Sequence, residues 1–371
     1  METTIAVKGN PFNEQNQLVT VQIKQGKAPP LVFFKEDFHK VPAILEQASC
    51  IIAFNAKFDL HWVRREFGFV ANCVWDCQLA EFIFSKQKWA YPNLAETCQL
   101  REVGHKLDIV KTEYWDKGID TPDIPREILS EYGAQDVQCT WEVFEKQLNM
   151  FMSSHQHQFQ LFRLHCNDLL VLQEMEWNGI VYDEEQSLQA ADNLDKQINH
   201  LEAKIKAYAG NVPINLSSPT HVSMLLYGGK IIDEVRVPIG VYKSGAKTGQ
   251  TRYKILEQEY NLPRLVQPLK GSELKKEGLF SVEESVLLSL KTTAAVKRLI
   301  QWLLERVGIT KLQSTYLRGL PKTIKTHGWK PNMLHSNLNQ CVATTGRLSS
   351  TKPNSQNFPK EAKAYCVSRF N

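Results

Sequence analysis

Three carboxylates far apart along the chain, Glu2, Asp59 and Asp136, sit in short patterns suited to phosphodiester chemistry: Met1-Glu-Thr-Thr4, Asn55-Ala-Lys-Phe-Asp59 and Tyr132-Gly-Ala-Gln-Asp136. Hydrolysis assisted by two divalent ions needs three or four carboxylates from separate elements, converging on ions ~4 Å apart. Hard oxygen donors of this kind suit Mg²⁺ or Mn²⁺. An acid at a strand end, one at a helix start and one inside a late helix can meet at one edge of a sheet. Taken singly, each has an ordinary explanation. Asp59 is a first-turn acid favoured by the helix dipole, Tyr132 a core-edge tyrosine, and Asp136 an exposed helix acid. The joint spacing is what makes the set informative.

The elements that must position these acids alternate between strand and helix. Leu18–Lys24 and Leu31–Phe34 read as neighbouring strands joined by a turn at Gln25-Gly-Lys27. Ile51–Asn55 reads as a short buried strand running into a helix at Phe58–Phe67, and Ile128–Asn149 as a long helix. This pattern predicts an α/β domain over residues 1–150. The pattern then turns helical, with one helix over Phe159–Trp177 closed by Asn178-Gly179. A second helix starts near Asp183, carries Leu188, Ala191, Leu194, Ile198, Leu201, Ile205 and Tyr208 at gaps of three and four, and stops at Gly210. Residues 228–272 lack periodicity and read as an exposed hairpin or flexible insertion. Ser281-Val-Glu-Glu284 reads as a capping box opening a helix, and Thr293–Val307 as a further helix leading to Lys311–Leu317. A long antiparallel helical pair with a basic tip is a sensible clamp for a duplex.

Charge divides along the chain. Residues 1–150 hold 16 Lys and Arg against 21 Asp and Glu, residues 151–371 hold 28 against 19, and within the latter residues 291–371 hold 14 against 2. An acidic module followed by a basic one fits a metal-dependent hydrolytic site coupled to a phosphate-gripping surface. Lys311, Ser314 and Thr315 form a basic, hydroxylic patch suited to backbone phosphates, although helix capping is the plainer role for the two hydroxyls. The eight cysteines include no CxxC pair, and their spacing reads as free thiols in a reducing cytosol. There is no run of ~20 apolar residues and no secretory leader, so no membrane partner and a cytoplasmic location are expected. Gly245-Ala-Lys-Thr-Gly249 lacks the upstream glycine of a phosphate loop and reads as a surface loop.

The run Thr345-Thr-Gly-Arg-Leu-Ser-Ser-Thr-Lys-Pro-Asn-Ser-Gln-Asn357 is polar, punctuated by glycine and proline, and carries one arginine among amide side chains. Such donors on a rigid turn suit minor-groove acceptors and sugar oxygens. The run resembles the start of the palm in family A (polymerase I-like, phage- or bacterial-type) DNA polymerases. The first 150 residues resemble the 3′–5′ proofreading exonuclease of the same family, including Trp75-Asp-Cys-Gln-Leu-Ala80 and Lys106-Leu-Asp-Ile-Val110. Met175-Glu-Trp-Asn-Gly-Ile-Val-Tyr-Asp183, Leu216-Ser-Ser-Pro219 and Lys311-Leu-Gln-Ser-Thr-Tyr316 look like parts of its thumb.

That resemblance implies an RNase H-like exonuclease domain with a mixed sheet and flanking helices over 1–150, a mainly helical thumb over 151–320, and the first strands of a palm over 321–371. It implies Glu2, Asp59 and Asp136 as metal ligands, Tyr132 as the residue orienting the attacking water, and Asn55 either against the 3′-terminal nucleotide or bracing the site. Arg347 would enter the minor groove at the primer end, with Asn354 and Gln356 touching duplex bases or sugars. The implied partners are a DNA primer-template and a single-stranded 3′ end. By the same resemblance the sequence starts just after the first motif's aspartate and stops before the catalytic carboxylates of the palm. The expectations are therefore an exonuclease domain without its first strand, impaired excision, and no nucleotide addition by this chain alone. A second polypeptide carrying palm and fingers, a free-standing exonuclease, and a module that only binds DNA are the rival readings.

Overall fold

The computed structural model describes every residue except 6–8, 211, 246–247 and 370–371. Residues 1–186 and 319–371 form one compact unit and residues 187–318 a second.

In the first unit, strands β1 (Glu2–Thr3), β2 (Leu18–Ile23) and β3 (Leu31–Phe34) pair antiparallel in that order. In the two-residue β1, Glu2 stands opposite Thr20. After helix α1 (Val41–Glu46), β4 (Ile51–Ala53) runs parallel to β5 (Val74–Asp76) with α2 (Ala56–Phe67) as the crossover. The continuous apolar run of β4 is typical of parallel strands covered on both faces. Helices α3 (Cys77–Phe84), α4 (Leu94–Arg101), α5 (Ile109–Glu113), α6 (Arg126–Met152) and α7 (Gln156–Asn178) follow, then β6 (Ile180–Tyr182). Trp75 anchors the core where α6 and α7 meet β5, with ring centroids 4.5 Å from Phe162 and 5.0 Å from Phe144. Its indole N–H donates to Gln147 Oε1 at 3.0 Å, and Gln147 Nε2 in turn reaches Cys77 O and Glu81, so a fully buried amide leaves no polar atom unmatched. The helix α7, which the family resemblance grouped with the thumb over residues 151–320, packs in this unit against α2, α3 and α6.

In the second unit, α8 (Glu184–Tyr208) lies antiparallel to α11 (Ala294–Lys311). Arg306 binds Glu202 at 2.8 Å and Leu216 O at 3.1 Å, while Gln313 donates to Ala191 O and Asp195 at 2.7 Å each. Of the periodic positions in α8, Ala191, Ile198, Leu201 and Ile205 are buried, whereas Leu188 and Tyr208 are exposed at its ends. Between them come α9 (Pro219–Tyr227), the long ribbon of β7 (Gly229–Val241) and β8 (Thr251–Leu262), and α10 (Glu284–Leu288). The capping box at Ser281 is not formed. Ser281 N–H donates to Ser272 O and Phe280 bridges Glu273, which keeps the backbone extended, so α10 opens three residues later. Thr293 does cap α11, its hydroxyl accepting from Val296 N. Leu312–Leu317 then forms a π-helical turn, a form found mostly as single turns and often at functional sites. The Gly245–Gly249 run falls partly outside the described residues.

The chain returns to the first unit with α12 (Gly319–His327), β9 (Met333–Leu334), β10 (Asn337–Asn339), β11 (Ser349–Thr351), α13 (Lys360–Lys363) and β12 (Cys366–Val367). Here β6 is the middle strand between β12 and β9, and β10 pairs antiparallel with β11.

A buried charge network fastens this returning segment. Glu176 on α7 accepts from Lys57 Nζ at 2.6 Å, from Leu338 N at 2.5 Å, and shares a proton with His61 Nε2 at 2.8 Å. Burial acts to raise the Glu176 carboxyl, but His61 and Lys57 hold it below the ordinary range. Burial also pushes the His61 imidazole down, against the pull of Glu176. Both shifts act in one direction. Glu176 contributes fully above its ordinary value of 4.5 and loses that contribution as the pH falls further. His61 binds its proton more readily when unfolded, which costs stability below about pH 6.5. We therefore expect this network to withdraw stability from the first unit, which holds seven of the eight tryptophans, as the pH falls below about 6.5, against the opposite contribution of the unit's raised acids such as Glu2 and Asp76. Urea unfolding followed by tryptophan fluorescence checks this, and Glu176→Gln should flatten the limb below pH 4.5. An acid limb unchanged in that variant contradicts the assignment.

Candidate active site

The acids singled out by the sequence all line one cleft of the first unit, with a volume of about 780 Å³. Glu2 enters from β1, Asp59 from the first turn of α2, and Tyr132 and Asp136 from one face of α6, four residues apart. The α2 turn is set by Asn55, which adopts the left-handed conformation (φ 63°) that asparagine tolerates well. Its N–H and that of Ala56 are held by the buried Asp76 carboxylate, which also caps α3 through Gln78 and Leu79. Asp76 thus fixes the start of two helices, and burial pushes its carboxyl up to about 6 against four N–H donors.

On α6 the residue between Tyr132 and Asp136 that matters most for placement is Gly133. A methyl group there would come within 2.4 Å of Gln22 on β2. We expect Gly133→Ala to force α6 and β2 apart, at a cost of about 1–3 kcal/mol typical of overpacking. Thermal unfolding measures it, and an unchanged melting temperature would show that Gln22 simply swings aside.

The electrostatics of the cleft are those of acids held close with too little countercharge. Burial, with Asp136 and Asp59 nearby, pushes Glu2 up to about 7 despite the terminal ammonium and Lys106. Burial likewise raises Asp59 and Asp136. Lys106 Nζ donates to Asp136 Oδ2 at 2.5 Å and lies 5.0 Å from the Tyr132 ring centre. Burial acts to lower its ammonium, but Asp136 and Tyr132 overcome this and raise it. The Tyr132 phenol is raised by burial and by Glu2 and Asp136, so it stays a proton donor across the working range. The amino terminus lies 3.5 Å from Asp59. Asp136 Oδ1 is buried without a hydrogen-bond partner among the described residues.

An unpartnered buried carboxylate oxygen beside two further raised acids is a donor set matching a hard divalent cation in kind and in charge. In the present spacing the shell is not closed. Among the described residues, no group of three or more His, Cys, Asp or Glu stands close enough to hold an ion.

The remaining sequence-selected residues lie elsewhere. Asn55 lines a neighbouring 510 Å³ cavity with Lys57, His61, Trp329 and His335. Arg347 lies exposed in the loop between β10 and β11, with no ion pair among the described residues. Asn354 and Gln356 are exposed just beyond β11, with Gln356 Nε2 donating to Leu348 O at 3.3 Å. Lys311, Ser314 and Thr315 are exposed in the second unit, and the Ser314 hydroxyl donates to Thr310 O in the local capping role. Two features had no sequence signal of their own: Lys106 as the counter-ion of Asp136, and the Glu176 network, whose partners on α2 and β10 lie 115 to 162 residues away.

An α/β body with an acid-lined cleft, followed by a helical pair and a basic strand–loop–strand segment, defines the class. The chain belongs to the family A DNA polymerases, with a 3′–5′ exonuclease domain followed by the start of the polymerase domain. Residues 8–151 match the 3′–5′ exonuclease family and residues 253–369 match DNA polymerase family A. DNA polymerase I of Bacillus subtilis is 26% identical over 287 residues, covering 76% of this chain and 27% of that protein. The DNA polymerase of Bacillus phage SP01 is 23% identical over 340 residues, covering 86% of this chain and 35% of that one. Among solved structures, the POL domain of Pol1 from M. smegmatis in complex with DNA primer-template and dNTP superposes with a TM-score of 0.61 at 17% identity, covering 98% of this chain and 53% of that chain. That likeness is one of fold. The chain spans about a quarter to a third of the length of these curated relatives. No helix among the described residues is long and apolar enough to cross a membrane.

Proposed function

We propose that this chain is the proofreading and primer-gripping part of a cytoplasmic replicative DNA polymerase. In this reading residues 1–150 trim single-stranded 3′ ends, residues 151–320 form the thumb, and residues 321–371 begin the palm. The observation that carries it is the convergence of Glu2, Asp59, Tyr132 and Asp136, from three separate elements, on one cleft wide enough for a terminal nucleotide.

Within that cleft Glu2, Asp59 and Asp136 would hold Mg²⁺ or Mn²⁺, in keeping with the general metal dependence of this family. When bound, such ions supply Lewis acidity and an activated water for phosphodiester hydrolysis. Tyr132, kept protonated, offers a hydrogen-bond donor beside Asp136 to orient water or a phosphate oxygen. Lys106 balances the Asp136 charge and stands ready to move to a substrate phosphate. The apolar walls, including Phe58, Leu94 and Phe144, offer surfaces for an unstacked base. The test is removal of labelled 3′ nucleotides from a single-stranded oligonucleotide by the protein that carries this chain. Excision that needs Mg²⁺ or Mn²⁺ and disappears with the cleft acids supports the reading, and metal-independent excision contradicts it.

For the duplex, Arg347 is the residue to test, because it is exposed, has no ion pair among the described residues, and is followed closely by Asn354 and Gln356. Arg347→Ala should weaken primer-template binding and reduce the salt-dependence slope by about one. Fluorescence anisotropy across a KCl series measures both, and an unaltered slope removes Arg347 from the DNA contacts.

A further inference from the structure

The β7–β8 ribbon of the second unit is built as an arm. Its root is fixed in the core, where Ile231 and Leu262 are buried among residues of α9 and α11 and Tyr260 packs against them. Beyond the root the strands run on in register, from Asp233 opposite Gln258 to Val241 opposite Thr251, with an irregularity between Pro238 and Gly240. At ~3.3 Å per residue, 13 residues reach about 40 Å. The exposed Ile232, Ile239, Tyr253 and Ile255 are residue types that hold a two-stranded ribbon together through cross-strand pairs such as Arg236–Ile255 and Pro238–Tyr253.

Charge divides this arm sharply. The root portions, 229–235 and 255–262, hold one lysine and four acids, whereas residues 236–254 hold five Lys and Arg and no acid. Lys230 at the root is paired with Glu259 at 2.5 Å. Arg236, Lys243, Arg252 and Lys254 on the distal half have no salt-bridge partner among the described residues. Register places Arg252 opposite Gly240 and Lys254 opposite Val237, with Arg236 and Tyr253 on the other face. Positive charge therefore surrounds the distal half and neutralises nothing within it, while Tyr253 is exposed among these charges.

We propose that the distal half of the β7–β8 arm grips the sugar-phosphate backbone of duplex DNA. This rests on the reading that the chain handles DNA. A narrow ribbon bearing cations on both faces can follow a groove and meet phosphates on either side, and such contacts add affinity without reading sequence.

The test compares the protein with a variant carrying Arg236→Gln, Lys243→Gln, Arg252→Gln and Lys254→Gln, and with Lys230→Gln as a control at the root. Binding to a fluorescent duplex is followed by anisotropy across a KCl series. Each lost phosphate contact removes about 0.9 from the slope of log affinity against log salt, so the four-site variant should lose up to about 3.6, with at least about tenfold weaker binding. Lys230→Gln should leave the slope unchanged. A second variant, with residues 236–255 replaced by a two-residue Asn-Gly turn between the paired Val235 and Leu256, removes all of these cations, should show at least the same loss, and guards against misfolding of the first. If the wild type binds duplex and both arm variants bind it with the same affinity and slope, the arm is not a DNA contact, and a protein partner becomes its occupant. If the wild type binds no DNA, the reading of the whole chain fails along with it.

Discussion

In the protein that carries this chain, Asp136→Asn should reduce release of 3′-terminal nucleotides about a hundredfold or more, and Asp59→Asn should do the same. Changes to groups that merely support metal ligands cost 10–100-fold, so removing a ligand sets that as a lower bound. Asparagine keeps the shape of aspartate, its amide oxygen can still accept from Lys106, and Asp136 Oδ1 has no hydrogen-bond partner to lose among the described residues. The fold should therefore survive, and the variants should melt at or slightly above the wild-type temperature as a crowded negative charge is removed. The two changes should not multiply, because either one leaves the same unit incomplete. Rates on a labelled single-stranded oligonucleotide, with melting curves beside them, decide the matter. Wild-type rates in both variants would leave the cleft without a catalytic role.

The largest stability effect should come from Glu176→Ala. The carboxylate is only 2% exposed and faces Lys57 (16% exposed), His61 and the Leu338 amide. Removing it leaves the buried Lys57 ammonium with the Leu338 carbonyl but no countercharge, and the Leu338 N–H without its acceptor, a situation that typically costs about 3–5 kcal/mol. Replacing Glu176 by glutamine should cost less, because an amide oxygen still accepts from Lys57. Urea unfolding by tryptophan fluorescence gives both values. A loss near zero for Glu176→Ala would mean that β10 is held to α7 by packing alone.

The elements were legible where the pattern was local. Alternation in Leu18–Ile23 and the aromatic run Leu31–Phe34 marked two strands within one residue of where they lie. Gly179, with φ 63° and Leu334 O just 2.7 Å from where a methyl would sit, closes α7 where Asn178-Gly179 marked its end. Thr293, read as the first residue of a helix, caps it, whereas Ser281, read as a cap, does not, because Ser272 and Glu273 claimed the neighbouring backbone first. The candidate site was legible as types and intervals: Glu2, Asp59, Tyr132 and Asp136 do share a cleft. What it lacked were partners set by the tertiary fold. Nothing near Lys106 marks it for Asp136, and nothing near Glu176 marks it for a lysine and a histidine on α2. The reach of β7–β8 was also hidden, since a ribbon with both faces in solvent has no apolar alternation to betray its length.

One measurement bears most directly on the acid cleft: anomalous diffraction from crystals of the protein soaked with Mn²⁺ and a short single-stranded oligonucleotide. The account predicts manganese peaks bounded by Glu2, Asp59 and Asp136, the carboxylates drawn together around them, and the 3′-terminal phosphodiester beside Tyr132. Manganese bound away from all three acids, or a 3′ end seated in another cavity while this cleft stays empty, would contradict it.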